Sequence, residues 1–196
     1  MIDQSNTEVK PRLAIFASGN GTNFEALMTA DLPAQICVVV CDQPNAGVIE
    51  RANHHQIPVV MSVAQKGVSK VAREQQLLND LAEYRVDDLV LAGYMRIIGR
   101  TLLAAFPRHI INIHPALLPA FPGRHGIEDA YQYGVKVTGV TIHYVDGGVD
   151  TGEIIAQAPV LRSETDTLAS LETKIHEVEH QLYPETIRHL IQKGVL

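Results

Sequence analysis

Residues 111–123 read INIHPALLPAFPG, an apolar run that carries Asn112 and His114 two positions apart and then breaks into a proline-punctuated loop. In an extended chain this spacing turns both polar side chains to one face and Ile111 and Ile113 to the other. An amide N–H beside an imidazole joins a donor for a developing oxyanion to a group able to give or take a proton. A buried histidine satisfied by a carbonyl, with asparagine serving a turn, is the commoner fate of such residues. The rigid loop that follows tips the reading towards chemistry.

A second stretch, HYVDGGVDTGEIIAQ (143–157), sets Asp146 and Asp150 among Gly147, Gly148 and Gly152. Aspartates in glycine-rich turns commonly serve only the turn. A carboxylate delivered to His114 would stabilise the imidazolium and complete an acid–base pair. A third stretch, ASGNGTNFEAL (17–27), follows an apolar strand and opens a helical segment, with Thr22 or Asn23 available as the N-cap. Free N–H groups at such a turn suit a phosphate, and Gly19 and Gly21 let the backbone approach it. The spacing is not GxGxxG and no Walker lysine follows, which disfavours a dinucleotide. From these residues alone, a phosphate site and an ordinary strand-to-helix turn stay equally open.

Other chemistries lack their residue sets. His176 and His180 lie four apart, but there is no HExxH and no third ligand, so no metal is expected. Cys37 and Cys41 fall within ICVVVC and read as buried strand residues rather than a redox pair. No GxSxG or strand-borne Cys–His signature points to a covalent nucleophile.

Positioning these groups requires strands. Continuously apolar runs at 12–17, 35–41, 57–61, 87–93 and 109–114 alternate with helical segments, which implies βαβ units and a parallel sheet covered on both faces. Runs at 136–145 and 153–161 flank the DGGVDTG loop and suit antiparallel pairing. The fold class expected is therefore α/β, doubly wound and mostly parallel, with an antiparallel C-terminal strand portion. If residues 109–114 form the last parallel strand, its end opens on the crevice where such sheets bind ligands. From Asp166 onward, Leu168, Leu171, Ile175, Val178 and Leu182 trace one helical stripe, which Pro184 should kink or restart.

The 196 residues suit one domain, expected over 12–196 after a loose segment 1–11. A net charge of −6 argues against a nucleic-acid partner, so any anionic ligand must meet a local site. With no signal-peptide core and no run of about 20 apolar residues, neither export nor a membrane partner is expected. The expected location is cytoplasmic, without disulfides.

Together, SGNGTN (18–23), LAGYMRIIG (91–99), NIHPALLPAFPG (112–123), VTIHYVDGGVDTGEIIAQ (140–157) and EVEHQLYP (177–184) resemble the phosphoribosylglycinamide formyltransferase family in order and spacing, from about Arg12 to the C-terminus. The Asn-x-His-Pro segment alone is shared with relatives acting on other acceptors and marks the chemistry more than the substrate. The resemblance implies a Rossmann-like formyltransferase fold. It also implies transfer of the formyl group of 10-formyltetrahydrofolate, as co-substrate, to the amine of 5′-phosphoribosylglycinamide in de novo purine biosynthesis, with no metal and no covalent enzyme intermediate. By the same resemblance Asn112, His114 and Asp150 are catalytic. Gly21, Thr22 and Asn23 match the turn that holds the substrate phosphate, and His176 and Glu179 match contacts to the ribonucleotide. Met95, Arg96, Ile97 and Ile98, with Asn112 and the loop of Asp146, Gly147, Gly148, Val149 and Asp150, match the folate-binding wall. Lys70 aligns, across gaps, with another folate contact. The partners implied are these small molecules, and the chain is expected to be a monomer or a homodimer.

Three alternatives are weaker. A formyltetrahydrofolate hydrolase is expected to carry a preceding regulatory domain, and has no use for a phosphate turn at Ser18. A methionyl-tRNA formyltransferase needs a further C-terminal domain and a basic face. A non-catalytic folate or nucleotide sensor has no need of Asn112, His114 and Asp150 together.

Overall fold

A computed structural model describes residues 10–196, and the expected loose segment 1–11 falls almost wholly outside them. Seven strands form one sheet in the order β3-β2-β1-β4-β5-β6-β7. β1 (Arg12–Ala17), β2 (Gln35–Cys41), β3 (Val59–Met61), β4 (Asp88–Leu91) and β5 (Ile110–His114) run parallel. β6 (Val137–Tyr144) and β7 (Ile154–Leu161) close the sheet antiparallel, as the change of pattern near residue 134 implies.

Each strand falls inside its apolar run, trimmed where the backbone cannot continue the ladder. The run at 57–61 begins pairing only at Val59, because Pro58 has no N–H and contributes its carbonyl alone, to Val39 N at 2.9 Å. The run at 87–93 ends at Leu91, just before Gly93 turns the chain with φ +77°.

The parallel strands are apolar on both sides because both sides are covered. Leu13, Ile15 and Ala17 of β1 pack with Phe24 and Leu27 of α1 (Thr22–Thr29), Val48 and Ala52 of α2 (Gly47–His54), and Leu171, Ile175, Tyr183 and Ile187 of α6 (Leu168–Gln192). Ala14 and Phe16 point the other way, onto Leu77 and Leu81 of α3 (Lys70–Ala82) and Leu102 of α4 (Arg100–Ala105). α5 (Gly126–Tyr133) bridges the proline loop to β6. Cys37 and Cys41 are free and buried on opposite faces of the sheet.

α6 corrects one expectation. It does not restart at Pro184 but runs unbroken through it, although the missing N–H and the ring clash cost a helix interior about 3 kcal/mol. Tyr183, Pro184 and Ile187 are all buried there, so packing against the sheet holds the helix through the proline. Among the described residues no helix is long and apolar enough to cross a membrane.

Candidate active site

The chain leaves β1 one way towards β2 and β3, and the other way to β4 and β5. Loops leaving the carboxyl ends of strands diverge at such a switch and open a crevice between them. The crevice here is a cavity of about 540 Å³, in the range of small-molecule sites. The turn after β1, the ends of β4 and β5, the β6–β7 turn and the middle of α6 all contribute walls.

β5 delivers Asn112 and His114 to this cavity, while Ile111 and Ile113 enter the core on the opposite face. His114 Nε2 lies 2.8 Å from the carbonyl oxygen of Phe121. A carbonyl only accepts, so Nε2 carries a hydrogen and donates it. Nδ1 is left facing Asp150 Oδ2 at 3.4 Å, within ion-pair distance but longer than a well-made hydrogen bond. Asp150 is itself held by the Gly123 backbone N–H, which donates to Oδ2 at 2.7 Å. Its φ of +53° is a left-handed conformation that aspartate tolerates better than most residues.

A further histidine completes this group. Asn112 stands directly opposite His143 in the antiparallel β5–β6 pair, with Asn112 Nδ2 3.1 Å from His143 Nε2. His143 Nδ1 donates to the Tyr144 carbonyl at 2.8 Å, and burial pushes the imidazole pKa down. Neutral, with its hydrogen on Nδ1, the ring accepts from Asn112 through Nε2. His143 Nε2 also lies 3.7 Å from Asp150 Oδ1. Sequence alone assigns this residue no role. Its signal lies in VTIHYV, where Thr141 and His143 make a period-two polar pair that registers with His114 and Asn112 across the strands.

The turn after β1 differs from expectation at its cap. Gly21, not Thr22 or Asn23, is the N-cap of α1, and among the described residues no side chain caps the first N–H groups. Gly21 is required twice over: its φ is +76°, and a Cβ there would meet Val48 of α2 at 2.7 Å. α2 clamps the turn further, with Val48 N donating to the Gly19 carbonyl at 3.1 Å and Arg51 Nε to the Asn20 carbonyl at 2.8 Å. Asn23 points inward instead of capping. Its Nδ2 donates to Glu179 Oε2 at 3.1 Å, joining the turn to α6. The same oxygen accepts from His176 Nδ1 at 2.8 Å, and this bond raises the His176 pKa. Gly21, Thr22, Asn23, His176 and Glu179 all line the cavity.

Met95, Arg96, Ile97 and Ile98 form the facing wall, and Asp146, Gly148, Val149 and Asp150 line the cavity from the β6–β7 turn. Met95 N donates to Ser18 Oγ at 2.9 Å, and the Met95 carbonyl accepts from Arg124 at 2.9 Å. The Arg96 guanidinium is drawn to buried Asp42, with Nε 2.6 Å from Oδ2. Asp146 Oδ1 accepts from Gly148 N at 3.0 Å and from Thr151 Oγ1 at 2.7 Å, which folds its loop back on itself and holds its pKa below the usual carboxylate value. Two residues of the sequence reading stand outside the cavity wall. Gly147 is passed over between Asp146 and Gly148, and Lys70 opens α3 behind the wall.

Known proteins resemble this chain over nearly its whole length. The formyl transferase family profile matches residues 11–187. Phosphoribosylglycinamide formyltransferase of Bacillus subtilis is 48% identical over 184 residues, covering 92% of this chain and 94% of that protein. The protein of the same name from Mycobacterium tuberculosis is 39% identical over 187 residues, covering 94% and 86%. The crystal structure of phosphoribosylglycinamide formyltransferase from Bacillus halodurans superposes with a TM-score of 0.89 at 52% identity, covering 93% of this chain and 96% of that one.

Proposed function

The chain belongs to the formyl transferase family, and we propose that it transfers the formyl group of 10-formyltetrahydrofolate to the amine of 5′-phosphoribosylglycinamide, a step of purine biosynthesis. The observation that carries this reading is the placing of Asn112, His114 and Asp150 in one cavity with the turn at Gly21 and with Glu179. It is supported by 48% identity over nearly the full length of a phosphoribosylglycinamide formyltransferase.

In this reading the ribonucleotide phosphate sits on the uncapped N–H groups at Gly21, Thr22 and Asn23, where the positive end of the α1 dipole favours a dianion. Glu179 and His176 hold the glycinamide end. The folate lies along Met95, Arg96, Ile97 and Ile98, with the loop of Asp146, Gly148 and Val149 opposite. Lys70 and Gly147 contribute no cavity surface in this arrangement. Holding both substrates together supplies much of the rate.

The amine nitrogen forms a bond to the formyl carbon, and the carbonyl oxygen takes up negative charge. Asn112, with one Nδ2 hydrogen engaged by His143, turns the other to that oxygen. His114, as imidazolium, donates a charge-assisted hydrogen bond from Nδ1. Asp150, 3.4 Å from Nδ1, balances the imidazolium charge and relays the amine proton through water to the folate nitrogen, which leaves as its bond to carbon breaks. The products are the N-formyl ribonucleotide and tetrahydrofolate, and no bond to the enzyme forms.

The test is direct. Purified protein is given both substrates, and tetrahydrofolate and the formylated ribonucleotide are quantified together. One product per formyl group lost is expected. Loss of formyl to water without the second product would instead identify a hydrolase.

A further inference from the structure

The wall formed by residues 95–98 is held only in part by its own side chains: Ile98 is buried with Leu77, Leu81 and Leu102, and Arg96 is drawn to Asp42, but the rest of the wall is open. Met95 is 48% exposed and Ile97 60%, so burial of these side chains fixes little. Its backbone is tied at the near end by Ser18 and Arg124, through Met95 N and the Met95 carbonyl. At the far end stands Gly99, the N-cap of α4, which has no side chain to fix its own position.

Gly99 is held from another helix. Glu74 lies on the inward stripe of α3 with Leu77 and Leu81 and is 4% exposed. Its Oε1 accepts from the Gly99 backbone N–H at 2.6 Å. Its Oε2 is buried without a hydrogen-bond partner among the described residues. A carboxylate taken out of water with one oxygen unpaired is costly, so the bond at Oε1 carries much of the compensation. Glycine is needed at 99 for this approach: a Cβ would stand 2.5 Å from Oε2, 2.6 Å from Oε1 and 2.7 Å from Lys70 Cε. Lys70, one turn before Glu74, thus packs against the back of the same glycine.

We propose that Glu74 is a positioning residue for the folate-facing wall, its carboxylate fixing residues 95–98 through the Gly99 N–H. The proposal rests on the reading of this cavity as a folate site. It replaces direct contact by Lys70 with an indirect link one helical turn further on. Glu74 touches neither substrate. It sets where Met95, Ile97 and Ile98 stand when the folate meets them, while the ribonucleotide side, built on α1 and α6, does not depend on it.

Two measurements on full-length Glu74→Ala and Glu74→Gln decide the proposal. In Glu74→Ala, backbone amide exchange across 95–100 is expected to quicken while exchange in α1 and α6 stays as in the wild type. KM for 10-formyltetrahydrofolate is expected to rise roughly three- to tenfold, as for one lost hydrogen bond, with KM for the ribonucleotide within about twofold. Glu74→Gln keeps an acceptor oxygen and is expected to stay near wild type in both. Unchanged exchange across 95–100, or an equal rise in both KM values, overturns the proposal. If Glu74→Ala does not fold, Gly99→Ala, whose Cβ displaces the carboxylate, takes its place under the same criteria. If the wild-type protein transfers no formyl group, the functional reading falls, and the exchange pattern alone still decides whether Glu74 holds the wall.

Discussion

Asn112 and His143 face each other across β5 and β6, and the 3.1 Å contact between Asn112 Nδ2 and His143 Nε2 orients the amide. The orientation follows from one hydrogen. His143 spends its Nδ1–H on the Tyr144 carbonyl, so neutral Nε2 can only accept. The Asn112 oxygen is thereby turned away from His143, and the second Nδ2–H is left, in the proposed mechanism, for the reacting oxygen. A protonated His143 would donate from Nε2 and call for the opposite amide orientation.

His143→Ala is therefore expected to lower turnover roughly ten- to a hundredfold, short of or equal to the loss of an oxyanion donor itself. His143→Gln, which can still present an acceptor near Nε2, should recover part of it. Steady-state turnover of both variants with saturating substrates checks this. Equal, full activity in both would show that Asn112 needs no partner.

The same histidine gives stability a pH dependence of known sign. Burial lowers its pKa in the folded protein below the ordinary 6.5, so below that value the unfolded chain binds the proton more readily. The contribution is complete above the unfolded pKa and is lost as pH falls through the folded one. Urea unfolding of the wild type should show stability falling with acid in this window, and the fall should be shallower in His143→Gln.

Gly21→Ala should weaken the ribonucleotide side selectively. Left-handed backbone costs a residue with a Cβ about 1–2 kcal/mol, and that Cβ would press on Val48 at 2.7 Å. KM for the ribonucleotide is expected to rise roughly tenfold, the factor corresponding to about 1.4 kcal/mol, with KM for the folate moved far less. An equal rise in both would place the phosphate elsewhere.

Glu179→Gln keeps the size of the side chain and removes its charge. His176 then loses the partner that raises its pKa, so its titration, followed by NMR, should move down towards the ordinary histidine value. Binding of the ribonucleotide, measured by calorimetry, is expected to weaken in the same variant. An unmoved His176 titration would contradict the pairing.

What the sequence makes legible depends on whether the signal is local. The strands are legible because burial on both faces leaves each an uninterrupted apolar run, as RLAIFA and QICVVVC show. Asn112 and His114 are legible because period two is a property of one strand. His143 is not, because its importance comes from facing Asn112, and that depends on the register of an antiparallel pair formed by segments about thirty residues apart. Glu74 is hidden in the same way: on a helix an acidic residue usually means a solvated face, and only the tertiary packing of α3, which carries it inward with Leu77 and Leu81, buries it. Asn23 does not cap α1 for a similar reason: a tertiary partner, Glu179, holds a side chain that local rules assign to the helix end.

The catalytic assignment meets its most direct test at His114. Rapid-quench single-turnover transfer by His114→Ala, with both substrates bound to saturation, measures the chemical step apart from binding. A rate at least about a hundredfold below wild type is expected, the loss typical of a preorganised donor to the oxyanion. A rate within a few-fold of wild type would contradict the role of His114 in formyl transfer.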